Sequence, residues 1–300
     1  MKKLLFFFAT SLLLQSCMPE PQNKTLTYQN IVILSDMTDR IEPKINGTVI
    51  NQQYPPKDLA EINKILNFFR NECVKPGEKI GDKSCLYFST FSDEVKYTID
   101  ISKIKDLGSK QKFINSTGEY EGKGLDYEID VLKQKASDAY ANIQDKGMDL
   151  ISILADKIEN KSLIKKNTLL TNGIDTTYIN YDNHIYIFTD GYLEYYSKRS
   201  NNQFYFGELE IDEIRRYCKS NSVDIETALR NNSTLCLTPI KNAKNKYVNL
   251  HILETAERDK NTKLQTYKNP LGLRDNEILE AVWRKWALES GYKSFEWKKY

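Results

Sequence analysis

Asn30-Ile31-Val32-Ile33-Leu34-Ser35-Asp36 is a short, continuous apolar run closed by a hydroxyl and a carboxylate. A strand covered on both faces reads this way, because neither of its sides is left to polar residues. A second run of the same build, His184-Ile185-Tyr186-Ile187-Phe188-Thr189-Asp190-Gly191, again places an acid where the strand would end. Outward from these runs the periodicity changes. With Asp58 as N-cap, Leu59, Ile62, Ile65, Leu66 and Phe69 fall on one helix face, and Pro76-Gly77 close that element. Cys85 to Phe91 and Val95 to Ile101 read as strands parted only by Ser92-Asp93-Glu94, hence an antiparallel hairpin. Helices are expected over residues 127–143, from Asp149, over 208–219 and over 276–290, and a further strand over 247–253. Strands alternating with helices predict an α/β fold: a wound, mostly parallel central sheet with one antiparallel edge strand and helices on both faces. Inserted loops are expected near residues 41–56, 108–126 and 160–183.

The chain has 300 residues, with 43 Lys and Arg against 41 Asp and Glu, interspersed along its length. Nothing resembles the concentrated basic face of a nucleic-acid binder, and that class is excluded. The N-terminus has a different composition. Lys2 and Lys3 precede the apolar stretch Leu4 to Leu14, about 11 residues, where a membrane span needs roughly 20. That layout is a secretory signal. Its end, Leu14-Gln15-Ser16-Cys17, resembles the lipobox of bacterial lipoproteins, which are cleaved before the cysteine and carry their lipid on it. The resemblance implies a signal peptide over residues 1–16, lipidation of Cys17, a polar tether over 17–29 and one domain over 30–300. It also implies a lipid-anchored protein of the cell envelope. Met18 in place of an Asp favours the outer membrane. An ordinary signal peptide ending at an incidental cysteine is the alternative.

Four further cysteines, Cys73, Cys85, Cys218 and Cys236, permit disulfides in an exported chain. Cys73 ends a helix and Cys85 opens the next strand, so both should sit at one sheet edge. The same argument groups Cys218 with Cys236. Buried free thiols are the other reading.

In an open α/β sheet, ligands sit outside the carboxyl ends of the strands. Asp36-Met37-Thr38-Asp39-Arg40 follows the first strand and Thr189-Asp190-Gly191 follows a later one. Asp36, Thr38 and Asp190 could converge there on Mg²⁺ or another hard divalent cation, which takes oxygen ligands. At these residues the chain resembles the von Willebrand factor A family. Leu86 to Val95, Gly147-Met148-Asp149-Leu150 and Ile187 to Gly191 match its later motifs in order. The family's metal-ion-dependent adhesion site uses an Asp-x-Ser/Thr-x-Ser loop, a later Thr and an Asp after the fourth strand. The resemblance implies that Asp36 and Thr38 belong to the first loop and that Asp190 is the last carboxylate. Two departures stand out: Arg40 where the family has Ser, and Met148 where it has Thr. A thioether is a poor Mg²⁺ ligand, and a guanidinium is a permanent cation. Either a metal site with Asp149 as substitute ligand, or a degenerate site with Arg40 paired to Asp36, follows.

These features point to a binding module that engages a protein or glycan partner through its strand-end loops. One competing reading is a phosphatase-type hydrolase with Asp36 as nucleophile, since Asp36-Met37-Thr38 faintly resembles the haloacid dehalogenases. There the usual second Asp is replaced by Thr38. A structural envelope lipoprotein with a vestigial site is the other competing reading. His184 and His251 read as packing or hydrogen-bonding residues rather than bases. Tyr192, Tyr195, Tyr196, Phe204, Tyr205 and Phe206 read either as a recognition surface or as packing under loops. Trp283 and Trp286 read as core.

Overall fold

The computed structural model describes residues 23–37, 44–45, 48–49, 54–75, 81–141, 147–160, 163–171, 175–194, 204–254, 257–261 and 264–299. The signal segment, Cys17, Thr38, Arg40, Tyr195 and Tyr196 lie outside these residues. The strands are β1 (Asn23–Ser35), β2 (Lys44–Ile45), β3 (Thr48–Val49), β4 (Cys85–Thr90), β5 (Lys96–Asp100), β6 (Thr168–Thr171), β7 (Thr176–Phe188), β8 (Val248–Glu254), β9 (Lys260–Asn261), β10 (Thr266–Tyr267) and β11 (Ser294–Lys299). The helices are α1 (Tyr54–Phe68, continued by a π-turn over Phe69–Val74), α2 (Leu107–Ile114), α3 (Leu125–Ala141), α4 (Leu150–Asn160), α5 (Glu208–Asn221), α6 (Ile225–Asn231) and α7 (Asp275–Ser290).

The chain divides into two compact units, residues 28–165 with 181–300, and residues 1–27 with 166–180. The larger unit is an α/β sheet in the order β11-β8-β7-β1-β4-β5. β1 runs parallel to β4, and β8 runs parallel to both β7 and β11. β5 pairs antiparallel with β4 through the expected hairpin, and two short antiparallel ribbons, β2–β3 and β9–β10, stand outside this sheet. Period-two alternation explains why the central strands lack a polar side. Ile31, Ile33, Leu86, Phe88, Phe188 and Leu253 pack one way, with Ile62, Leu66 and Phe69 of α1 and Leu132 of α3. Val32, Leu34, Ile185, Ile187, Leu250 and Ile252 pack the other way, with Leu154 of α4, Ile214 of α5 and Trp283 and Trp286 of α7. Each such aliphatic side chain contributes about 1.5–3 kcal/mol when fully buried, so both helical layers are held by the same strands. The expected α/β architecture is therefore present, with β11 as an additional parallel edge strand.

The smaller unit contains a ribbon in which β6 pairs antiparallel with the start of β7, from Thr168↔Ile179 to Thr171↔Thr176. Leu169, Leu170 and Tyr178 are exposed on it. This corrects two expectations. Residues 168–183 are largely strand rather than an irregular loop, because Thr176-Thr177-Tyr178-Ile179 has the β-branched and aromatic content of a strand. β1 also begins at Asn23, so the end of the segment expected as a polar tether is strand. A third expectation fails at 108–126, where α2 forms behind the cap that Asp106 Oδ1 makes with the Ser109 amide at 2.8 Å.

Asp58 is not a cap. α1 starts at Tyr54 with Pro55 and Pro56 in its first turn, which fits proline's missing N–H. Asp58 is fully buried and accepts from the Tyr140 hydroxyl at 2.7 Å. The cysteines are corrected as well: Cys73, Cys85, Cys218 and Cys236 are all free thiols. Cys73 packs in the same layer as Leu86 and Phe88. Cys85 lies an odd number of residues from both on β4, so its side chain points through the opposite face. Sharing a sheet edge did not put the two sulfurs on one side of the sheet. Burial pushes both thiols up to about 12, which makes them inert. Among the described residues, no helix is long and apolar enough to cross a membrane.

Candidate strand-end site

The carboxyl ends of β1, β7 and β8 are stitched together by main-chain bonds. The Asp36 amide donates to the Phe188 carbonyl at 2.9 Å, and the Thr189 amide to the Leu253 carbonyl at 3.2 Å. Asp36 and Asp190 thereby come to one edge, as the sequence predicted, and both are buried, at 2 % and 1 % exposure. Among the described residues each carboxylate has a definite partner. Asp36 Oδ2 accepts from the Thr189 hydroxyl at 2.9 Å, and that hydroxyl accepts from the Gly191 amide at 3.2 Å. Asp190 Oδ1 accepts from the Tyr192 amide at 3.2 Å.

The other oxygen of Asp190 is taken by a guanidinium. Arg258, beyond the end of β8, donates through Nε to Asp190 Oδ2 at 2.5 Å and through its second arm to Glu194. The same guanidinium lies 4.3 Å above the ring of Tyr192. Burial works against the Arg258 charge, but the Asp190 and Glu194 carboxylates outweigh it and raise its pKa. A planar fork between two carboxylates and over an aromatic face is geometry that lysine would not reproduce.

The turn that presents Asp190 is fixed from both sides. Gly191 has φ +83°, and a Cβ there would stand 2.5 Å from the Trp297 ring of β11. The Trp283 indole N–H of α7 donates to the Gly191 carbonyl at 2.8 Å. Behind the turn, the Tyr192 hydroxyl donates to Asp275, which also accepts from Arg215. Arg274 grips Asp259 with two bonds of 2.6 and 2.8 Å and reaches Glu257 at 2.9 Å. Charges of alternating sign thus run from Asp190 deep into the α5–α7 side of the sheet.

The remaining candidates sort as follows. Asp149 caps α4, accepting from the Ser152 amide at 3.0 Å and its hydroxyl at 2.7 Å, so both of its oxygens are engaged at the helix start. Met148 packs against the hydrophobic core. Of the aromatic segment, Tyr192, Phe204 and Phe206 are buried, which favours packing over a recognition surface there. Trp283 and Trp286 are core, as predicted. Among the described residues, no three His, Cys, Asp or Glu side chains converge to hold a metal ion. A fixed positive charge, Arg258, already sits on Asp190, the carboxylate expected to complete a metal site. Arg258 and Glu194 were missed from sequence. Arg258 does lie just past a strand end, and the rule that places ligands at strand ends applies to every strand; no motif distinguished it.

No protein-family model matches the chain, and no curated protein matches it.

Proposed function

We propose that the chain is a lipid-anchored binding module of the cell envelope, resembling the von Willebrand factor A fold, that engages a protein or glycan partner through its strand-end face without a divalent cation. One observation carries this reading: the Arg258 guanidinium occupies the carboxylate that the metal-dependent version of such a site would give to the ion. The lipid anchor at Cys17 rests on the lipobox resemblance, and outer-membrane placement rests on Met18. The burial of Asp36 and its bond to Thr189 weigh against a nucleophile, which needs an open line of attack.

The test is binding to an array of envelope glycans and purified envelope proteins, with and without EDTA. The expected result is a signal that survives EDTA and falls at least tenfold in Arg258→Ala. Phosphate-ester hydrolysis that disappears in Asp36→Asn would replace this reading with the hydrolase. Binding abolished by EDTA would replace it with a metal-dependent site.

A further inference from the structure

The chain contains two histidines, 67 positions apart, and the fold sets them edge to edge. His184 stands on β7 and His251 on β8, whose parallel register pairs His184 with Asn249 and Tyr186 with His251. His184 Nδ1 and His251 Nε2 face each other at 2.9 Å, while the ring centroids are 5.2 Å apart and the planes differ by 24°. Nitrogens so much closer than centroids mean that lone pairs point into the gap between the rings. Tyr186 lies under His251 as a floor, with centroids 4.4 Å apart and planes 15° apart.

Each outer nitrogen is held by a carboxylate. His184 Nε2 meets Asp182 Oδ2 at 3.1 Å, and His251 Nδ1 meets Glu296 Oε2 at 2.6 Å. Asp182 is itself fixed by Asn249 at 2.8 Å and Lys293 at 2.9 Å. Two neutral imidazoles carry two N–H groups, and the carboxylates call on both. That leaves two lone pairs facing each other at 2.9 Å, a gap that either a shared proton or a metal ion would fill. Carboxylates behind both rings are the second shell that metal-ligating histidines use to fix their tautomer and raise their basicity.

We propose that His184 Nδ1 and His251 Nε2 form a binding site for a divalent transition-metal ion of the zinc class, with water completing the coordination. Imidazole suits zinc, nickel and copper and does not suit magnesium. A tetrahedral ion with Zn–N of roughly 2.0–2.1 Å needs the two nitrogens about 3.3 Å apart with their lone pairs converging on it, so each ring must turn slightly about its centre while the nitrogens part by about 0.4 Å. The His184 and His251 side chains are 20 % and 12 % exposed, so water has access. This site lies on the sheet face among Asp182, Tyr186 and Glu296, is built from residues other than those of the strand-end site, and does not depend on its reading.

The probe is Zn²⁺, titrated by calorimetry into the full chain without a histidine tag, with Mg²⁺ as control. The expected result is one saturable Zn²⁺ site that is at least a hundredfold weaker in His184→Ala and in His251→Gln. Asp182→Asn and Glu296→Gln weaken it ten- to a hundredfold, and Asp36→Asn leaves it unchanged. Nitrogen-15 spectra of the two imidazoles in the wild type provide the second readout, with no variant to fold. Both histidine signals move together and stop at one equivalent. No saturable Zn²⁺ binding, or Zn²⁺ binding that leaves both imidazole signals in place, overturns the proposal and assigns the gap to a shared proton.

Discussion

Two places on β7 handle buried polarity in opposite ways. At its carboxyl end, Asp190 is neutralised within the chain by Arg258, and the turn around it is locked by Trp283 and Trp297. Farther back on the same strand, His184 turns a ring edge toward His251 with a carboxylate behind each ring. The first place resembles a cation site in its sequence and has an internal cation. The second has no motif and the electron pairs that a cation would use. A ligand type in the right loop is therefore weaker testimony than the charge its neighbours have already supplied.

The largest expected effect breaks the first half of this comparison. Arg258→Ala leaves Asp190 buried with an uncompensated charge. Removing one partner of a buried pair costs about 3–5 kcal/mol, and the lower figure applies because the Arg258 side chain is 32 % exposed. Urea denaturation should show a loss of about 3 kcal/mol, with Arg258→Lys recovering only part of it. A loss well under 1 kcal/mol would mean that the pair does not hold the strand end. Next comes Gly191→Ala, where the left-handed backbone and the Trp297 ring both oppose a Cβ. About 2 kcal/mol of destabilisation is expected, again by urea denaturation.

The smallest effect is in acid. Burial alone would raise the Asp259 carboxyl, but the Arg274 fork outweighs it and holds that carboxyl below the usual range. Glu257 is held low in the same way, against its own burial, by Lys299 and Arg274. A depressed folded-state value adds stability that is fully present above the unfolded carboxylate range, about pH 4, and is lost as pH falls through the folded value. Urea midpoints at pH 7 and pH 3 should therefore differ more in the wild type than in Arg274→Met.

Much of the fold was legible because its signals are local. The apolar runs at 30–36 and 184–191, the hairpin at Ser92-Asp93-Glu94 and the helical faces of α1, α3 and α7 each declare themselves within a few residues. The β6–β7 ribbon was missed although Thr176 to Ile179 has strand-forming content, since the segment is short, lies among polar residues and becomes a ribbon only by pairing with β6. Asp58 misled because a good capping residue can equally be buried against a distant hydroxyl, here Tyr140. At the site, Asp36 and Asp190 were found because strand ends are predictable places. Arg258 and the histidine pair were not, because each depends on the β7–β8 register, which no stretch of the sequence contains.

The central claim is that the strand end carries its own cation. Calorimetric titration of Mg²⁺ and Mn²⁺ into the wild-type chain tests it most directly. No saturable heat for either ion is the predicted result. A one-to-one binding isotherm that vanishes in Asp36→Ala or Asp190→Asn would contradict it, because the ion would then have displaced Arg258 from the carboxylate that this account gives to the guanidinium.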